Sequence, residues 1–166
     1  MMLVIGIDPG TATTGYGLVQ ENADGSLTTI EFGVIETKSN IPMPQRLQEL
    51  YRNLTRILLL HQPQSGAVEK LFFASNARTA ISVGQGRGVV LLALADAGLP
   101  VAEYAPLEVK QAIVGYGGAD KNQIQQMVRA LLDLPEVPRP DDAADALAIA
   151  ICHLHSARSH QLEEAS

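Results

Sequence analysis

The run Leu3 to Asp8, LVIGID, followed at once by Pro9-Gly10, constrains the fold more than any other segment. An apolar stretch closed by an acid and a turn pair reads as a buried strand, and a buried strand must be paired along its edges and covered on its faces. Residues 14–20 and 29–36 supply two further strand patterns, and Asn22-Ala23-Asp24-Gly25-Ser26 between them carries the Asp-Gly signal of a hairpin. At least this second pair is antiparallel. From Pro44 to about His61, Leu47, Leu50, Tyr51, Leu54, Ile57 and Leu58 recur at spacings of three and four, with Arg46, Arg52 and Arg56 between them. That is an amphipathic helix. Ala67-Val68-Glu69 reads as a fourth strand, again ending in an acid, and Asn76 to Ala97 as a helix stopped by Gly98-Leu99-Pro100. Val101 to Tyr104 makes a fifth strand. Helices follow at about 106–114, 120–132 and, after a proline-broken linker, from Asp141 to about Arg158. The order predicts an α/β fold, a five-stranded mixed sheet with helices on both faces.

With 166 residues, 46% hydrophobic and 18% charged, the chain has the make-up of one ordinary globular domain. We expect that domain over 1–158 and a disordered tail over 159–166. The single cysteine, Cys152, excludes an internal disulfide and points to a cytoplasmic protein. No apolar run approaches the roughly 20 residues that span a bilayer, and the start, MMLVIGIDPG, lacks the n- and h-regions of a signal peptide. Neither a membrane partner nor export is expected. Twelve Lys and Arg against eighteen Asp and Glu give a net charge of -6. On first inspection that opposes nucleic-acid binding, which Lys and Arg drive by neutralising phosphates.

The acids are placed unevenly. Asp8 and Glu69 each close an apolar strand, at the end where open α/β sheets hold their ligands. On the last helix Asp142 and Asp145 are three apart and share a face, while Leu147, Ile149, Ala150 and Ile151 make the rest apolar. Such a helix, docked on the sheet, aims both carboxylates at the strand ends. Clustered acids repel unless a cation neutralises them, and all-oxygen donors suit Mg2+ or Mn2+. Two such ions about 4 Å apart support in-line phosphodiester hydrolysis. The structural readings are equally concrete: an acid before Pro-Gly suits a strand-to-turn junction, and Asp141 or Asp142 after Pro140 suits a helix cap. Glu69 and Asp145 have no such alternative, and burying either without a partner is costly.

The segments GIDPGTATTGYG, AVEKLFFASNARTA, VKQAIVGYGGADKNQIQQMVRALL and DDAADALAIAICH together resemble the RuvC family of Holliday junction resolvases, from about Leu3 to His155. The resemblance implies a ribonuclease H-like fold and a homodimeric, Mg2+-dependent endonuclease making paired, symmetric nicks in four-way DNA junctions. It also implies a branch-migration helicase complex as a partner. Carried onto matching positions, the catalytic and metal-holding acids are Asp8, Glu69, Asp142 and Asp145, with two ions per site and Mn2+ as a substitute. AADALAI fixes Asp145, and counting back three gives Asp142, leaving Asp141 as the cap.

For DNA contact, Phe72 and Phe73 follow Glu69 in what reads as a loop, where stacking on an unpaired base contributes roughly 1 to 3 kcal/mol. Either ring could instead plug the core. Lys110 and Lys121 match basic positions of the resemblance, and Gly115-Tyr116-Gly117-Gly118 ahead of the Lys121 helix reads as a phosphate seat or simply a turn. Asn76, Arg78 and Arg87 are further candidates for backbone contact. Ala77, Ala80 or Ile81, Gly84 and Gly88 recur at helical spacing, on a face that meets either a second subunit or its own sheet. His153 lies two turns past Asp145 and reads as structural or solvent-exposed. Two rivals belong to other classes. Asp8-Pro9-Gly10-Thr11 with Thr14-Gly15 also looks like the phosphate loop of sugar kinases and actin-like ATPases, which need a second domain. A non-catalytic junction-binding module gains nothing from four acids beside phosphates. Resolved by position, the charge changes meaning: the proposed metal centre accounts for four of the eighteen acids, and from Lys38 to Arg87 seven basic residues stand against Glu49 and Glu69.

Overall fold

The computed structural model describes residues 1–70 and 77–164. The elements are β1 (Met2–Asp8), β2 (Thr13–Glu21), β3 (Leu27–Glu36), α1 (Met43–His61), β4 (Ser65–Glu69), α2 (Ala77–Asp96), β5 (Val101–Tyr104), α3 (Pro106–Val114), α4 (Lys121–Leu131) and α5 (Asp141–Glu164). The sheet has five strands in the order β3-β2-β1-β4-β5. β1, β2 and β3 pair antiparallel, whereas β1–β4 and β4–β5 are parallel. The mixed sheet thus joins a hairpin meander to a βαβ crossover, with β1 at the seam.

Alternation along β1 sorts its side chains between two layers. Ile5 and Ile7 face α1 and α2, with Leu18, Ile35, Leu50, Leu54, Val68 and Leu94 in one core. Val4 faces the other way, into a core with Val19, Ala67 and the helices α3, α4 and α5. Asp8, in phase with Val4, lies on that second face. α5 is buried around most of its circumference, from Ala143 through Leu154, because the sheet covers one side and α3 and α4 the other. It reaches the sheet closely through glycines. A Cβ on Gly6 would lie 2.2 Å from the carbonyl oxygen of Ala146, and one on Gly15 would lie 1.9 Å from that of Asp142.

At the C-terminal end one expectation changes and one is resolved. The last helix does not stop near Arg158 but continues to Glu164. Arg158 ties the turn before this extension to the β2–β3 hairpin: its Nε pairs with Glu21 Oε1 at 3.1 Å and its Nη1 donates to the Gly25 carbonyl at 3.4 Å. His153, for its part, is structural. Its Nε2 meets Ser65 Oγ at 2.9 Å and its Nδ1 meets the Tyr104 hydroxyl at 2.8 Å, and burial lowers its pKa.

Candidate active site

The side chain of Asp8 leaves the end of β1 on the face that α5 covers. Its antiparallel partner is Gly15, so the strand opposite offers no side chain there, and the first turn of α5 drops into the space. That turn carries Asp142 and Asp145. The loop between β1 and β2 is held from within: Thr14 Oγ1 donates to the Gly10 carbonyl at 2.7 Å and accepts from the Gly10 amide at 3.2 Å. α2 closes over the same loop, since a Cβ on Gly86 would come 2.8 Å from the Gly10 carbonyl oxygen. The parallel register that pairs Ile7 with Val68 sets Glu69, at the end of β4, beside Asp8.

Asp8, Asp142 and Asp145 each present an oxygen such that all lie within 4.8 Å of one another. Glu69 borders this group without joining it at that distance; its charge acts on Asp8, and that of Asp145 acts on it. The electrostatics record the crowding. Burial, then the charges of Asp145, Glu69 and Asp142, push the Asp8 carboxyl from 3.8 up to about 8. Burial and Asp145 raise Glu69. Burial also raises Asp145, against the pull of Lys121. A half-buried carboxylate cluster that holds a proton near neutral pH is one that a cation would relieve. Its donors are all hard oxygens, which fits Mg2+ or Mn2+.

Cations lie on the same side. Lys110 of α3 and Lys121 of α4 line a cavity of about 310 Å³ whose wall also includes Glu69 and Asp145. Lys121 Nζ is 3.0 Å from Asp141 Oδ2 and 4.0 Å from Asp145 Oδ2. Asp141 is therefore not the simple cap expected of it. Its other oxygen accepts from Gln125 Nε2 at 3.2 Å, while the Ala143 and Ala144 amides donate to the Pro140 carbonyl. Lys121 and Gln125 hold its carboxyl below the usual range. Of the two readings of the segment ahead of α4, a phosphate seat or a turn, the structure shows the turn. Asp120 accepts from the Gln123 amide at 2.8 Å, placing a carboxylate where a phosphate would sit, and Gly115 is the left-handed cap of α3, with φ 85°.

Of the other DNA-contact candidates, Phe72, Phe73 and Asn76 lie outside the described residues, and Arg78 falls in the first turn of α2. Arg87 is not free for phosphate. It forms an ion pair with Glu103, and its Nε donates to the Glu69 carbonyl at 3.4 Å, bracing the strand end that carries the acid. Sequence spacing held no sign of this brace, because α2 returns Arg87 to β4 only through the crossover. Of the small-residue stripe on α2, Ile81 is 65% exposed and Gly88 has open space where a Cβ would stand, while Ala80 and Gly84 are only partly exposed; Leu92, one turn past Gly88, is 54% exposed. Among the described residues, no helix is long and apolar enough to cross a membrane.

Comparison with known proteins agrees with this arrangement. The family model for crossover junction endodeoxyribonuclease RuvC matches residues 4–153. A protein of that name from Syntrophomonas wolfei is 54% identical over 165 residues, covering 99% of this chain and 95% of its own length. One from Desulfitobacterium hafniense is 59% identical over 155 residues, covering 93% of each. The structure of RuvC from Thermus thermophilus superimposes with a TM-score of 0.90 at 38% identity over 96% of this chain and 97% of that one. The T. thermophilus protein in complex with a Holliday junction substrate gives 0.88 at 36% identity, covering 95% and 96%. The yeast mitochondrial Holliday junction resolvase Ydc2 shares the fold, with a TM-score of 0.63 at 15% identity over 92% of this chain and 78% of that one. A family match spanning nearly the whole chain, on a sheet and helix that gather the acids at one strand edge, shows that the chain belongs to the RuvC family of crossover junction endodeoxyribonucleases.

Proposed function

We propose that this chain is a metal-dependent endodeoxyribonuclease that resolves four-way (Holliday) junctions by paired, symmetric phosphodiester hydrolysis in recombination and repair. The observation that carries the reading is the cluster of Asp8, Asp142 and Asp145, bordered by Glu69, at the strand ends of a RuvC-family fold. In that role Asp8, Glu69, Asp142 and Asp145 are the catalytic acids and hold the metal, with Mg2+ the physiological ion, two per site, and Mn2+ a substitute. When bound, such ions activate a water and stabilise the leaving oxygen. The chain's own groups supply the rest. Burial on the α5 face limits the water around the acids, which strengthens their attraction for a bound cation. Lys110 and Lys121 place positive charge at the mouth of the cavity beside Glu69 and Asp145, where a scissile phosphate needs neutralising. Phe72 and Phe73, leaving the Glu69 strand, stack on unpaired bases at the junction centre, and Asn76 and Arg78 contact the backbone. The products are 5′-phosphate and 3′-hydroxyl ends.

Symmetric cleavage calls for two active sites, and the outward apolar face of α2, with Ile81, Gly88 and Leu92, supports a homodimer. A cytoplasmic location and work alongside a branch-migration helicase complex complete the proposal. The test is a synthetic four-way junction with linear duplex as control, in Mg2+. The parent should cut the junction in paired strands and spare the duplex, and Asp8→Asn should lose cleavage by about 10³-fold or more while still binding the junction. Parental cleavage by Asp8→Asn would remove Asp8 from the chemistry, and a parent that binds without cutting would favour the junction-binding module.

A further inference from the structure

We propose that Asp141 is a positioning residue: by holding the Lys121 ammonium on one carboxylate oxygen, it keeps that cation off Asp145 and leaves Asp145 free for a divalent ion. The inference rests on the reading of Asp8, Asp142 and Asp145 as a metal-holding group. Lys121 opens α4 and Gln125 follows one turn later, so both project from the same face. Asp141 opens α5, with Asp145 one turn further on. Across this contact Lys121 Nζ stands 3.0 Å from Asp141 Oδ2, and Gln125 Nε2 donates to Asp141 Oδ1 at 3.2 Å. Both oxygens of Asp141 are thus taken by one face of α4, which fixes the plane of the carboxylate and, through it, the ammonium.

Asp145 Oδ2 is 4.0 Å from the same nitrogen. A lysine head on a flexible four-carbon stem crosses such a gap readily. Released from Asp141, it would close on Asp145, whose Oδ2 already stands 4.0 Å away, and compete there with a metal ion. Asp141 therefore does little for stability, as expected of an ion pair exposed on both sides. It chooses which of two carboxylates the lysine occupies.

The test is calorimetric titration of the DNA-free protein with MnCl2 at about 0.15 M salt, where the screening length is about 8 Å. The variants are Asp141→Asn, Lys121→Gln and the double substitution. Asp141→Asn should weaken Mn2+ binding about fivefold, the scale of one exposed ion pair, and Lys121→Gln should tighten it. In the Lys121→Gln background the Asp141→Asn loss should shrink to about the twofold that screened attraction alone leaves. Asp141→Glu, which keeps the charge and can still hold the lysine, should restore binding. An undiminished loss in the Lys121→Gln background would make Asp141 a ligand and overturn the proposal, as would no loss in the parent background. Failure of the nuclease reading looks different: the parent would leave the junction uncut while these titrations, run without DNA, kept their pattern.

Discussion

Substitution of Gly15 tests how the site is assembled. Gly15 stands opposite Asp8 in the β1–β2 ladder, and a Cβ there would lie 1.9 Å from the Asp142 carbonyl oxygen, 2.3 Å from its carbon and 3.0 Å from the Ala143 nitrogen. All three are backbone atoms, so no side-chain rotation relieves the clash. A carbon–oxygen contact settles near 3.3 Å, so β2 and the first turn of α5 must part by about 1.4 Å. The movement carries Asp142 and Asp145 away from Asp8, with which they now share a space 4.8 Å across. Overpacking of this kind costs about 1 to 3 kcal/mol, a fall of about 2 to 12 °C in Tm for a domain of this size. A 1 Å misplacement of reacting groups costs about 100-fold in rate. Single-turnover junction cleavage in saturating Mg2+, measured well below the Tm of Gly15→Ala, separates the two effects. We expect a folded protein with a loss of about 100-fold. A variant with parental Tm and parental rate would refute the account of how α5 is seated.

Three further outcomes are expected. Because folding lifts Asp8 from 3.8 to about 8, the folded protein holds a proton that the unfolded chain lacks between those values. In chelator, its contribution to stability is therefore full below pH about 4 and is lost as pH rises through about 8. Thermal melts in EDTA should show Tm rising from pH 8 to pH 6, the rise shrinking in Asp8→Asn, with Mg2+ raising Tm more at pH 8 than at pH 6; a fall in EDTA over that interval would contradict it. Leu92→Arg, on the outward face of α2, should convert a dimer to a monomer in sedimentation with little change in Tm, and an unchanged dimer would place the interface elsewhere. For Phe72→Ala, cleavage should weaken by about 10-fold, the scale of one base–aromatic stack, with a smaller loss of junction binding in gel shift; unchanged cleavage would assign the ring to packing.

Periodicity and punctuation made the elements legible. β5 and α3 fall where Gly98-Leu99-Pro100 and Pro106 place them, and the ten elements appear in the expected order. Glu69 and Asp145 stand out in the sequence because a carboxylate closing a short buried strand, or standing past the first turn of an apolar helix, has no cheap structural explanation, whereas Asp8 and Asp142 each have one and are drawn to the group by the fold. The tertiary structure alone decided what each charge is set against. Asp141 became a partner of Lys121 and Gln125, Asp120 capped α4, Arg87 turned inward to brace Glu69, and Arg158 tied α5 to the β2–β3 hairpin. These are pairings across 16 to 137 residues of chain, apart from the local Asp120 cap. Hydrophobic alternation is a local property, set by the 2.0 and 3.6 residue repeats, and survives in the sequence. The partner of a charge is set by which elements the fold brings within about 4 Å, and no local pattern encodes that distance.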